Sequence, residues 1–164
     1  MKNLRPLIMR VLNEETSWHK NAIEFHKNSP KIMKDSAGGI NYNSLDDYMW
    51  YLVNYVDYPN NPDYKKIKEF ILLLRKYGFL DTDVAMRMRG WLKTKKNFLD
   101  EKWGDKSIKH VGGDDSYDDW LSQIVSMGKD HYEAALNIEK NYKKYRDTPY
   151  EESFSYAIPY RIEM

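Results

Sequence analysis

Residues 81–103, DTDVAMRMRGWLKTKKNFLDEKW, decide the fold class. Val84, Ala85, Met88, Trp91, Leu92, Phe98 and Leu99 recur at three- and four-residue spacing, the interval that lines side chains along one face of an α-helix. Asp81 or Thr82 supplies the N-cap, because a short side-chain oxygen there accepts a backbone N–H left unbonded by the first turn. Gly90 weakens the middle by about 1 kcal/mol relative to alanine. The stripe still holds to Trp103, which makes this the longest helix expected in the chain.

The same interval extends upstream. Asn61-Pro62 reads as a cap followed by proline at the first helical position. It opens a third helix on Tyr64, Ile67, Ile71, Leu74 and Tyr77, stopped by a left-handed Gly78. Ser44 with Asp47 three residues on resembles a capping box and starts a second helix, through Leu45, Tyr48, Met49, Leu52, Val53 and Val56. The first helix is capped by Asn3, takes Pro6 in its opening turn and carries Leu4, Ile8, Val11, Trp18, Ala22 and Phe25. Residues 31–43, with Gly38-Gly39, have no period and read as a loop.

Downstream, Ser116 and Asp119 start a fifth helix with Tyr117, Trp120, Leu121, Ile124 and Val125. Gly128 breaks the path before Tyr132, Ala135, Leu136 and Tyr142 form a sixth. Ser44-Leu45-Asp46-Asp47 and Ser116-Tyr117-Asp118-Asp119 look alike, and shared capping chemistry accounts for the likeness. In the tail, Phe154, Tyr156, Ile158, Tyr160 and Ile162 alternate at period two, a strand signal, but no second run alternates long enough to pair with it. Glu151-Glu152 after Thr148-Pro149 reads instead as a helix start, ended by Pro159. The expectation is an all-α fold, a single compact domain over residues 1–164. It has about six helices and a helical turn running into a short extended tail.

Composition bounds the function. A 164-residue chain hides about 70% of its unfolded surface on folding, enough for one core. Lys+Arg 26 against Asp+Glu 25 gives a net charge of +1, which supplies no global field for nucleic acid or anionic membrane. Locally the balance is uneven: residues 1–61, 62–110 and 111–164 carry 0, +6 and −5. The absence of cysteine excludes disulfides, thiolate nucleophiles and cysteine-held metals. The segment MKNLRPLIMR lacks an apolar signal core, and no stretch approaches the roughly 20 apolar residues of a membrane span. A cytoplasmic protein with no membrane partner is expected. Aromatics reach 15%, with Tyr 14 and Trp 5, which argues against disorder and fits either a tyrosine-rich core or an aromatic interface.

No phosphate loop, dinucleotide fingerprint or nucleophile elbow occurs, so no cofactor is expected. Glu15 and His19 stand at i, i+4 with His26 two turns on, a spacing that suits a surface ion pair as well as a helical metal site. Arg87, Arg89, Lys93, Lys95 and Lys96 form a basic run that can contact phosphates or simply face water. Tyr51, Tyr55 and Tyr58 lie off the second helix's apolar stripe and are candidates for an exposed binding patch. The densest polar group is Gly112-Gly113-Asp114-Asp115-Ser116-Tyr117-Asp118-Asp119. Its carboxylates can complement the helix start, hold a divalent cation outside the calcium-loop pattern, or dock a basic partner. Asp114 and Asp115 exceed what capping needs, and with Asp118 they are the acidic binding candidates.

The segment GGDDSY at 112–117, then Ile124-Val125-Ser126-x-Gly128-Lys129-x-x-Tyr132-Glu133-x-Ala135-Leu136, resembles the helical bacterial family catalogued as domain of unknown function 4240. Glu151-Glu152-Ser153-Phe154-Ser155-Tyr156-Ala157 is similar to the acidic-aromatic segment that closes that family's domain. The likeness covers about residues 111–158. The family's Cys-Ser before the paired Asp is absent here, its tryptophan falls on Gln123 and its arginine on Leu121. The resemblance implies a compact helical fold and no particular activity. Two functions follow from the residues: a non-enzymatic binding protein, immunity-like, regulatory or a phage-encoded inhibitor of a host factor, or a metal-assisted hydrolase using Asp114, Asp115 and His110.

The Asp114→Asn, Asp115→Asn double variant separates capping from docking. Asparagine caps about as well as aspartate, so stability is expected to fall only by the charge–dipole share, about 0.3–1 kcal/mol per residue. Urea denaturation checks this value. Docking shows instead as weakened capture of the native partner by the folded variant, and unchanged capture means that the acidic start is only a cap.

Overall fold

The structure, a computed structural model, describes residues 20–104, 113–150, 153–160 and 163, without the side chains of residues 113–115. The cap and opening stripe expected of the first helix (Asn3, Leu4, Pro6, Ile8, Val11, Trp18) lie outside the described residues. So do Glu15, His19, His110, Gly112, Glu151, Glu152 and Ile162. The elements are α1 (residues 20–28), α2 (Tyr42–Val56), α3 (Tyr64–Lys76), α4 (Thr82–Trp103), α5 (Gly113–Ser126), α6 (Lys129–Leu136), α7 (Ile138–Arg146) and a 3₁₀ turn (Phe154–Ala157). Among the described residues the fold is all-α, with no strand beyond a single bridge between Lys34 and Ile40.

Cap chemistry sets the boundaries, in places one turn from the positions read in the sequence. Asn41, not Ser44, caps α2: its side chain accepts from the Ser44 N–H at 3.0 Å. Ser44 sits in the first turn, where its hydroxyl donates to the Asn41 carbonyl and accepts from the Met33 N–H at 2.9 Å, tying the loop to the helix. For α3 the cap is Asp63, which accepts from Lys66 N–H, so Asn61-Pro62 falls just outside. Asp81 caps α4 through the Asp83 N–H at 2.8 Å. That hydrogen bond to the charged form is the main reason the Asp81 carboxyl ionises below its usual range. Gly78 takes the left-handed stop at φ +74°.

The expected sixth helix is two. It breaks at Asn137, with the side-chain amide of Asn141 donating to the Ala134 carbonyl at 2.9 Å and so satisfying a group freed by the break. Instead of a strand, the tail forms a 3₁₀ turn capped by Ser153, then extends through Pro159, with Phe154, Ala157 and Ile158 buried.

The core is organised around α4, which packs on α2, α5 and α6. Its stripe faces inward as read: Val84, Ala85, Met88, Trp91, Leu92, Leu99 and Trp103 are buried, whereas Phe98 is half exposed. Trp91 meets Trp50 of α2 edge to face at 4.9 Å. Trp103 meets Trp120 of α5 at 5.0 Å and stacks on Tyr142 of α7. Buried indoles need a partner for their N–H. Trp103 donates to the Ala135 carbonyl at 2.9 Å and Trp120 to the Tyr145 carbonyl, which binds α6 and α7 to this cluster.

The α5–α6 junction depends on Gly128. Its φ of 104° and ψ of 170° belong to a region open to glycine, and a Cβ would lie 2.6 Å from Asn54 Oδ1. Gly128→Ala is expected to cost about 1–3 kcal/mol, read from the urea midpoint. An unchanged midpoint would mean that the junction relaxes freely.

Candidate functional site

The polar residues of α4 recur at 89, 93, 96, 97 and 100, the same helical interval as the buried stripe but on another face. That face forms one side of a cleft of about 610 Å³. Tyr117, Asp118 and Leu121 of α5 form the opposite side, and Ser155 of the 3₁₀ turn closes one end. Arg89, Lys93 and Lys96 of the basic run and Asp118 of α5 therefore line one space.

Charges in the cleft are largely spoken for. The Lys96 ammonium donates to both Asp118 oxygens, at 2.9 and 3.1 Å. The Tyr117 hydroxyl donates to Asp100 Oδ1 at 2.9 Å. Burial first, and then the Asp100 carboxylate, push the Tyr117 phenol well above its usual range, so it remains a neutral donor. Arg89 holds the tail: its guanidinium donates to the Ser155 carbonyl at 3.3 Å and to the Ile158 carbonyl, and lies 3.6 Å from the Tyr160 ring centroid. Lys93 is exposed and has no ion-pair partner among the described residues.

The five basic residues do not form a single phosphate-binding face. Arg89 is committed to the tail and Lys96 to Asp118. Lys95 turns to a different side, where it pairs with Asp46 at 2.7 Å. Only Arg87 and Lys93 project into solvent. Of the tyrosine patch, Tyr58 does not belong to the surface: it is 1% exposed and packs on Phe154 of the tail. Tyr51 is half-buried against Phe25, and Tyr55 stacks on Phe70 with part of its ring exposed. They are packing residues between α1, α2 and α3. The side chains of Asp114 and Asp115 lie outside the described residues. Asp118 is placed in the cleft.

Sequence reasoning missed Tyr117, Asp100, Asn97, Leu121 and Ser155 as lining residues. For α4 the signal was available in the polar spacing itself; for Ser155 it was not, since only the folded tail brings it there. Among the described residues no three His, Asp or Glu side chains are grouped to hold a metal ion. No helix among them is long and apolar enough to cross a membrane. The cleft can bind through a free ammonium, an amide, a tyrosine edge and an apolar floor at Leu121. No family model, no curated protein and no solved structure matches the chain.

Arg89→Ala is expected to free residues 153–160 from α4. Hydrogen bonds to a charged group are worth about 1.5–3 kcal/mol, so global stability should fall by up to that amount. The Ile158 amide, bonded to the Ser155 carbonyl at 3.2 Å, should exchange faster with solvent. Unchanged exchange at Ile158 would show that the tail is held by its apolar side chains alone.

Proposed function

We propose that the protein acts by binding a partner protein, without chemistry of its own, through the cleft between α4 and α5. The observation that carries this reading is a mixed-charge, aromatic-edged cleft in which Lys93 is left to reach outward. Around it, neighbouring charges are held in fixed pairs. Lys96–Asp118 and Tyr117–Asp100 orient their groups before a partner arrives, which reduces the ordering that binding would otherwise demand. Lys93 then offers an ammonium to a carboxylate, with Asn97 beside it as a two-way hydrogen-bond group. The regulatory or immunity-like role expected from the sequence is part of the same proposal. The likeness of residues 111–158 to the domain of unknown function 4240 family belongs to the same proposal, since Tyr117 and Asp118 of that stretch line the cleft.

The test is charge reversal at the cleft. A protein retained by the tagged wild type from its native cell lysate is purified and titrated against Lys93→Glu and Asp118→Lys. Lys93 is exposed and unpaired, so Lys93→Glu should change stability by no more than about 0.5 kcal/mol. Its dissociation constant should nevertheless rise about tenfold or more, equivalent to about 1.4 kcal/mol. Equal affinity in both folded variants would place the binding surface elsewhere.

A further inference from the structure

The side of α4 opposite the cleft holds a second constellation. The Lys95 ammonium lies 2.7 Å from Asp46 Oδ1, with only 12% and 18% of the two side chains exposed. Four aromatic ring centroids surround that ammonium: Tyr132 at 5.4 Å, Trp50 at 5.5 Å, Trp91 at 5.7 Å and Tyr42 at 5.8 Å. Each is inside the roughly 6 Å within which a ring face attracts a cation. The same Asp46 oxygen accepts the Trp91 indole N–H at 2.8 Å, which fixes the carboxylate and the ring together. Three helices contribute, α2, α4 and α6. Tyr42 is 47% exposed and forms the solvent side of the box.

We propose that this box is a binding site for a primary alkylammonium cation, which the chain fills with its own Lys95. The rings recognise any organic cation, and Asp46 adds the selection, because its oxygen accepts a hydrogen bond from an N–H donor. Quaternary ammonium has no such donor. Removing Lys95 leaves the Asp46 carboxylate beside four ring faces, with the Trp91 indole N–H as its remaining partner among the described residues. A cation that enters restores the pairing that Asp46 has lost. Nothing in this reading depends on the cleft or its partner.

Lys95→Ala deletes three carbons and a nitrogen, so n-propylammonium replaces the lost atoms one for one. Thermal unfolding of Lys95→Ala is followed with n-propylammonium chloride, tetramethylammonium chloride and sodium chloride at matched ionic strength. The expected result is a saturable rise in Tm with n-propylammonium, about 3–6 °C at roughly ten times its dissociation constant. Tetramethylammonium should give a smaller rise and sodium none beyond ionic strength, and the wild type, already filled, should not respond. A rise no larger than with sodium, an equal rise with tetramethylammonium, or an equal rise in the wild type would overturn the proposal. If Lys95→Ala does not fold even with the amine, the wild type decides. Its Lys95 ε-methylene protons should resonate upfield of the other lysines because of the ring faces, and an ordinary shift there would overturn the assignment.

Discussion

The Asp46 carboxylate fixes how α4 sits in the bundle. A carboxylate with little access to water is unstable unless it is paired and hydrogen-bonded. Asp46 meets both needs from a single helix, through Lys95 at 2.7 Å and the Trp91 indole at 2.8 Å. Lys95 and Trp91 stand four residues apart, so satisfying both sets the rotation of α4 as well as its distance from α2. Once that rotation is set, Arg89, Lys93 and Lys96 are carried to the side that faces α5 and the tail. The cleft is in that sense the reverse face of a core contact.

This division explains why a run of five basic residues produces no basic surface. A helix distributes neighbours around its axis, and each direction here has a different counterpart. A carboxylate waits at Lys95, another at Lys96, and backbone carbonyls with a ring wait at Arg89. The local excess of +6 over residues 62–110 is thus spent partly inside the molecule, against the acidic segment that follows. What remains outward is Lys93 and Arg87.

Much of this architecture can be read in the chain because period and caps are local properties. The stripe of α4 needed only its own residues, and so did the glycine stops at 78 and 128. Cap identity was harder. Asn41, Ser44, Asn61 and Asp63 are all good N-caps, and the choice between them rests on where the loop can be tied, as Met33 ties to Ser44. The break at Asn137 carries neither glycine nor proline and left no mark. Alternation in the tail resembled a strand because Phe154 and Ile158 are buried, but a 3₁₀ turn buries them without a ladder. Tyr58 was misplaced for a related reason: its ring is covered by Phe154, 96 residues later. The site is a matter of long range throughout. Asp46 looked like a capping residue, and its real partners are 45 and 49 residues away.

The tail's attachment to Arg89 bears on when the cleft exists. Its bonds join residues 66 and 69 positions apart, whereas α4 and α5 are neighbours in sequence. Closing a long loop costs entropy that short-range helix packing does not, so the end wall at Ser155 depends on what holds the tail, Arg89 and the buried Phe154, Ala157 and Ile158. A ligand that touched all three sides would bind only those molecules in which the tail is attached. Its apparent dissociation constant would be the intrinsic one divided by the attached fraction. Arg89, which lines the cleft and also fastens its end wall, thereby couples attachment of the tail to affinity.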